Sequence, residues 1–187
     1  MKIFIIAGCA RSGKSTFGKL LREELKDYGY KPCVMQITNP LYSYALNYFN
    51  WDPNKDAKPR EFLQKMGIEI IRDKLGKKEF LLNRLFEDIE VLSNFFDTFI
   101  ITDARLIEEF EDIKKNFGDV VNIKLERDNY DPELTEEEAK HVTEHEIDNY
   151  DNFDYIIKNR SLKELRHSAL EVVRDEENYE GSVVTIS

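Results

Sequence analysis

With 187 residues, 41% hydrophobic and 34% charged, the chain has the size and balance of one globular domain, able to bury roughly 70% of the surface its unfolded form exposes. No apolar run approaches the roughly 18 residues of a membrane span, and two cysteines, Cys9 and Cys33, give neither a disulfide framework nor metal-ligand spacing, so a cytoplasmic protein is expected. The net charge of −10 is concentrated in residues 126–154, where twelve Asp/Glu face only Arg127 and Lys140; nucleic acid and anionic membranes are therefore not expected partners.

The chain opens on Lys2-Ile3-Phe4-Ile5-Ile6-Ala7, a short apolar run rich in β-branched residues. It is too short for a signal peptide. Gly8-Cys9-Ala10-Arg11-Ser12-Gly13-Lys14-Ser15 follows at once, and then a helical stretch from Thr16 to Tyr28. This is G-x-x-x-x-G-K-S in the setting that gives it meaning, a buried strand feeding a loop that opens a helix. Backbone N–H groups of such a loop curl round a β-phosphate, and the helix N-terminus adds about half a positive charge. Lys14 is placed to reach the β- and γ-phosphates and the Ser15 hydroxyl to hold Mg²⁺. Gly8, Arg11, Ser12, Gly13, Lys14, Ser15 and Thr16 are the candidate nucleotide-binding residues, with ATP and Mg²⁺ as the cofactors. A chance match on an ordinary strand–turn–helix is the competing explanation.

After Gly29, Lys31 to Ile37 reads as a second strand. Thr38-Asn39-Pro40 starts a helix to about Phe49, with proline suited to the first helical position. Trp51 to Lys58 is a loop. Pro59 starts a helix to about Leu75, on which Leu63, Met66 and Ile70 recur at core spacing, and Lys78 to Phe95 forms another. Thr98 to Asp103 is an apolar strand ending in a carboxylate, Arg105 to Phe117 a helix, and Val120 to Leu125 a strand. A short helix is expected around residues 135–144, then a strand at Phe153 to Ile157 and a helix at Ser161 to Arg174 capped by Ser161. The alternation favours an α/β fold: five parallel strands, helices on both faces, and a pair of helices inserted after the second strand. One domain is expected over residues 1–187, with a helical insertion at 38–96, an acidic lid region at 126–150 and a tail at 175–187. Nothing in the sequence sets an oligomeric state.

Asp103 stands at a strand's C-terminal end, where open α/β sheets bind ligands. A carboxylate there suits a Mg²⁺-bound water or an acceptor's proton, and it also suits a helix cap. Arg105 is placed to grip a phosphate bidentately. On the Pro59 helix, Arg60 and Gln64 share a face, and Gly67 costs about 1 kcal/mol relative to alanine, which calls for a packing or ligand-approach reason. An arginine and an amide together suit a phosphate and a base edge, although a solvated polar face has the same pattern. Tyr42, Tyr44, Tyr48, Phe49 and Trp51 offer surfaces for stacking on a base. His141 and His145 lie four apart without H-E-x-x-H order or a third ligand, so a hinge or lid is favoured over zinc.

These motifs, with Phe49-Asn50-Trp51-Asp52, Lys58 to Gln64, Thr102-Asp103-Ala104-Arg105 and His141-x-Thr-Glu144, resemble in order the phage-type deoxynucleoside monophosphate kinases, from the loop to about Leu165. The resemblance implies the three-layer P-loop kinase fold and γ-phosphoryl transfer from MgATP to a (deoxy)nucleoside monophosphate. By residue match it implies acceptor-binding roles for Arg60, Gln64, Arg72 and Arg105, catalytic roles for Lys14, Asp103 and Arg105, Mg²⁺ at Ser15 and Asp103, and lid roles for Arg127, His141 and Glu144. The acidic lid departs from the arginine-bearing lids of that family, as do Ala104 and Leu106 beside the Asp–Arg pair. Residues 144–159 are similar also to animal-type phosphomevalonate kinases, the alternative acceptor class. A switch GTPase is disfavoured, since Asp103-Ala104-Arg105-Leu106 is not D-x-x-G and no N-K-x-D occurs; a protein that binds ATP without turning it over is the remaining reading.

Overall fold

The computed structural model describes residues 1–127, 147, 150–178 and 184–186. Its strands are β1 (Lys2–Ala7), β2 (Pro32–Met35), β3 (Thr98–Ile101), β4 (Val120–Glu126), β5 (Tyr155–Lys158) and β6 (Val184–Ile186). They form one sheet in the order β2-β3-β1-β4-β5-β6, parallel at every pairing. The five expected strands are all there. The sixth comes from the tail that the sequence left unassigned, and it adds an edge beside β5. The helices are α1 (Lys14–Asp27), α2 (Asn39–Tyr48), α3 (Arg60–Gln64), α4 (Phe80–Leu92), α5 (Ile107–Phe117) and α6 (Leu162–Glu177), with a π-helical stretch at Lys65–Lys74 continuing α3. Two compact units result, Met1–Met35 with Ser93–Ser187, and Gln36–Leu92.

In the sheet unit, alternation along each strand sends neighbouring side chains to opposite faces. Phe4 and Ile6 of β1 join Ile100, Val121, Ile123, Leu125, Tyr155 and Ile157 in one core with Phe17, Leu20, Leu21 and Leu25 of α1 and Leu165, Ala169, Val172 and Val173 of α6. Ile3 and Ile5 face the other way and are equally buried, as are Phe110 and Ile113 of α5. Each fully buried residue of this size contributes about 1.5–3 kcal/mol. A strand buried on both faces reads as a continuous apolar run, which is why β1 was legible. Asn122 interrupts β4 on the second face; its Nδ2 donates to the Asn152 carbonyl at 3.1 Å, and its backbone N–H donates to Asp154 Oδ2 at 2.7 Å.

One contact fixes where α1 lies on the sheet. Gly18 faces the end of β3, and a Cβ there would come within 2.6 Å of Thr102 Cγ2, the residue before Asp103. Glycine at this point lets the helix that begins in the phosphate loop approach the strand end that carries the carboxylate. Gly18→Ala gains about 1 kcal/mol of helix propensity against an overpacking cost of about 1–3 kcal/mol. A lowered thermal midpoint is therefore expected, and an unchanged or raised one would show that Thr102 yields without cost.

The inserted unit is built from α2, α3, the π-helical stretch and α4. Pro40 lies in the first turn of α2 as expected, although Thr38, its cap, makes no side-chain cap bond. The expected helix from Pro59 to Leu75 is present, but only Arg60–Gln64 is α. Beyond it the chain winds with i→i+5 hydrogen bonds, as Leu75 N–H donating to Ile70 O at 2.9 Å shows. Gly67 and Ile71 are buried, whereas Leu63, Met66 and Ile70, assigned to the core by their α-helical spacing, are only half-buried. A Cβ on Gly67 would stand 3.1 Å from Leu41 Cδ1, so packing on α2 accounts for this glycine. The aromatics pack largely on one another: Tyr42 on Trp51 at 5.6 Å between ring centroids, Phe49 on Phe62 at 4.8 Å and Tyr44 on Tyr48 at 6.3 Å. Among the described residues, no helix is long and apolar enough to cross a membrane.

Candidate active site

The phosphate loop runs from the end of β1 into the first turn of α1. Gly8 has φ +139°, and a Cβ there would lie 2.4 Å from the Leu125 carbonyl oxygen and 2.8 Å from Ser12 Oγ. Only a residue without a side chain passes between β4 and the loop's own turn. Arg11 sits at φ 58°, in the left-handed region, and Gly13 at φ 105° precedes the helix. Lys14, Ser15 and Thr16 open α1, so their N–H groups precede the first i→i−4 bond of the helix, which Phe17 makes to Gly13 O at 2.9 Å. Lys14 Nζ curls back to donate to Gly8 O at 2.6 Å and Cys9 O at 2.7 Å, so its ammonium is held over the loop's mouth. Ser15 and Thr16 are exposed, while Ser12 is buried and its Oγ finds no partner among the described residues. A cradle closed to any side chain at Gly8, a cation folded over it and a helix N-terminus behind it fit a polyphosphate with its Mg²⁺.

Asp103 follows β3, which pairs directly with β1, so strand end and phosphate loop lie on the same edge of the sheet. The capping explanation for Asp103 does not hold. The N-cap of α5 is Leu106, and Glu109 reaches back to accept the N–H groups of Arg105 at 2.6 Å and Leu106 at 3.0 Å. The segment that presents Asp103 and Arg105 is thus tied down from within α5. Burial pushes the Glu109 carboxyl up from the usual carboxylate range to about 7, against the pull of those two N–H groups; the nearby Asp103 charge adds to the rise.

That shift makes stability depend on pH. In the native state Glu109 keeps its proton to about 7, whereas the unfolded chain releases it near 4.5. Across that window the native state binds more protons, so this group's contribution is full below it and is lost as pH rises through it. Glu109→Gln is expected to flatten the fall of the urea midpoint over the same window. An unchanged slope in the variant would assign the effect elsewhere.

Arg60, Gln64 and Arg72 lie on the inserted unit, Arg60 and Gln64 on α3 and Arg72 in the π-helical stretch, all half-buried. Arg105 lies in the sheet unit. Arg127, expected at the start of the lid, directly follows β4, with Nη1 donating to Arg11 O at 3.3 Å. His141 and Glu144, and the helix expected around residues 135–144, lie outside the described residues. No group of three or more His, Cys, Asp or Glu suited to a metal occurs among the described residues; a site of one hydroxyl and one carboxylate, such as Ser15 with Asp103, is not of that kind. Sequence reasoning missed two ties, that of Glu109 to the Arg105–Leu106 turn and that of Asn159 to the phosphate loop, the latter with Nδ2 donating to Ser12 O at 2.7 Å. Leu106, the N-cap three residues before Glu109, is not of a type that marks a helix start, so the sequence signalled neither tie.

No protein-family profile matches the chain and no curated protein does. Solved structures do match in shape. APS kinase CysC of Mycobacterium tuberculosis, in complex with AMPPNP and APS, aligns with TM-score 0.53 at 16% identity over 94% of this chain and 97% of that one. A mutant of the same kinase aligns with TM-score 0.53 at 14% identity over 92% and 96%. Shikimate kinase from Aquifex aeolicus aligns with TM-score 0.52 at 17% identity over 96% and 100%. At such identities the likeness speaks to architecture alone, and on that point it is plain: the chain has the P-loop kinase fold.

Proposed function

We propose that this protein moves the γ-phosphoryl group of MgATP to a (deoxy)nucleoside monophosphate, giving ADP and the nucleoside diphosphate. The observation that carries the reading is the phosphate loop with Lys14 folded over it, one strand away from the Asp103–Arg105 segment. A phosphate oxygen of the acceptor attacks the γ-phosphorus, the bond to the β–γ bridging oxygen breaks, and ADP departs with that electron pair. The acceptor phosphate is largely ionised near neutral pH, so positioning and charge stabilisation do most of the catalysis. Loop N–H groups and Lys14 hold the transferring phosphates. Ser15 and Asp103 would hold Mg²⁺, which neutralises charge on the phosphate oxygens when bound. Arg105 grips the acceptor's phosphate; Arg60, Arg72 and Gln64 of the inserted unit keep the acceptor-binding roles that the resemblance implies, the arginines suited to phosphate and the amide to a base edge.

The lid roles of Arg127, His141 and Glu144 belong to the same reading, with closure excluding water. Kinases acting on small acceptors among the structural neighbours support phosphotransfer in general, and the exposed rings of Tyr48 and Phe49 on the inserted unit leave aromatic surface for a base. We place the protein in the cytoplasm, in keeping with the free thiols of Cys9 and Cys33. The experiment is a panel: dAMP, dGMP, dCMP, dTMP and their ribo forms, each with phosphomevalonate as the contrasting acceptor, read by ADP release. Turnover with at least one nucleotide is expected. Turnover with phosphomevalonate alone, or ADP release with no acceptor dependence, would overturn the assignment.

A further inference from the structure

Asn159 has no part in the chemistry above, yet it is bonded to the phosphate loop. It follows β5, and its backbone N–H donates to Glu126 O at 2.7 Å, so it is fixed where the β4–β5 ladder ends. From there its side-chain Nδ2 donates to the Ser12 carbonyl at 2.7 Å. The same amide fills the space beside Gly13: a Cβ on that glycine would lie 2.4 Å from Nδ2. The adjoining carbonyl, Arg11 O, accepts from Arg127 Nη1 at 3.3 Å. Two consecutive loop carbonyls are thus held by residues from the β4 and β5 ends.

The direction of these bonds matters. A peptide unit is planar and trans, so its C=O and N–H point opposite ways. Holding the Ser12 carbonyl towards Asn159 therefore turns the Gly13 N–H to the other side. An anion-binding loop needs its N–H groups turned inward, and this stretch, with Arg11 at φ 58° and Gly13 at φ 105°, leaves the conformations most residues prefer. An external tie is what keeps such a turn populated in one form.

We propose that Asn159 is a positioning residue for phosphoryl transfer, its amide locking the Ser12–Gly13 peptide so that the loop presents its N–H groups to the phosphate chain. The inference rests on the ATP-binding reading of the site. Asn159→Leu keeps nearly the same shape and removes the donor without adding charge. In calorimetric titrations with Mg²⁺, the variant is expected to bind ATP and inorganic tripolyphosphate about tenfold more weakly than the wild type does. Its thermal midpoint should stay near that of the wild type and its kcat should fall, with the acceptor KM little changed. Wild-type affinity for both ligands would overturn the proposal, and so would a lowered thermal midpoint with unchanged affinity, the mark of a role in folding alone. Loss of ATP affinity with tripolyphosphate affinity retained would also overturn it, because that pattern marks a contact to the base. If Asn159→Leu fails to fold, Asn159→Ala serves the same comparison. A wild-type protein that binds neither ligand would overturn the ATP reading itself and this inference with it, a result distinct from a selective loss in the variant.

Discussion

Replacing Lys14 with alanine is expected to lower kcat by roughly a hundredfold or more, the scale seen when one preorganised donor is removed from a transition state. The ammonium is already gathered over the loop by the carbonyls of Gly8 and Cys9, so little reorganisation is needed to exchange those partners for phosphate oxygens. Charge on the β–γ bridge and the terminal oxygens grows as the bond breaks, and the ammonium's benefit grows with it. ATP binding should weaken less than turnover, because the loop N–H groups and the Gly8 passage remain. Steady-state kinetics beside direct nucleotide titration separate the two quantities. A Lys14→Ala enzyme with near wild-type turnover would remove this residue from the mechanism.

Arg105→Ala is expected to have the second largest effect. A charged hydrogen bond to the acceptor's phosphate is worth about 1.5–3 kcal/mol, which corresponds to roughly ten- to a hundredfold in kcat/KM for the acceptor. ATP affinity should hold nearly constant. The backbone at Arg105 is anchored to Glu109, so the truncation removes the guanidinium while the turn that carries Asp103 stays tied. Equal weakening of ATP and acceptor would show that Arg105 serves the loop or Asp103 rather than the second substrate.

What the sequence disclosed and what it hid divide by distance along the chain. The phosphate loop was legible because its requirements are local: Gly8, Gly13, Lys14 and Ser15 fall within eight residues, after a strand whose double burial makes it uniformly apolar. The ties behind that loop were not legible. Asn159 reaches Ser12 across 147 positions and Arg127 reaches Arg11 across 116, and only the sheet's strand order brings them together. Arg127 reads as a lid residue because it begins an acidic stretch, and nothing in the sequence says that β4, running one residue beyond its expected end, also brings it to the loop.

The π-helical winding after Gln64 escaped for a different reason. Leu63, Met66 and Ile70 satisfy an α-helical spacing, and nothing in their identity marks the added residue per turn. β6 was hidden by its acidic surroundings and its three residues, too few for an alternating pattern to show. The acceptor residues stay tied to the resemblance: Arg60, Gln64 and Arg72 have the right chemistry on the inserted unit, and a polar helix face carries that chemistry whether or not a ligand meets it.

The central claim is that the γ-phosphoryl of ATP arrives on a nucleotide. Phosphorus NMR of a reaction with MgATP and the best monophosphate of the panel follows that group directly. The expected result is the growth of two diphosphate spectra in equal amounts, ADP and the acceptor's diphosphate, as ATP and the monophosphate disappear together. Accumulation of inorganic phosphate and ADP with the monophosphate unchanged would contradict it.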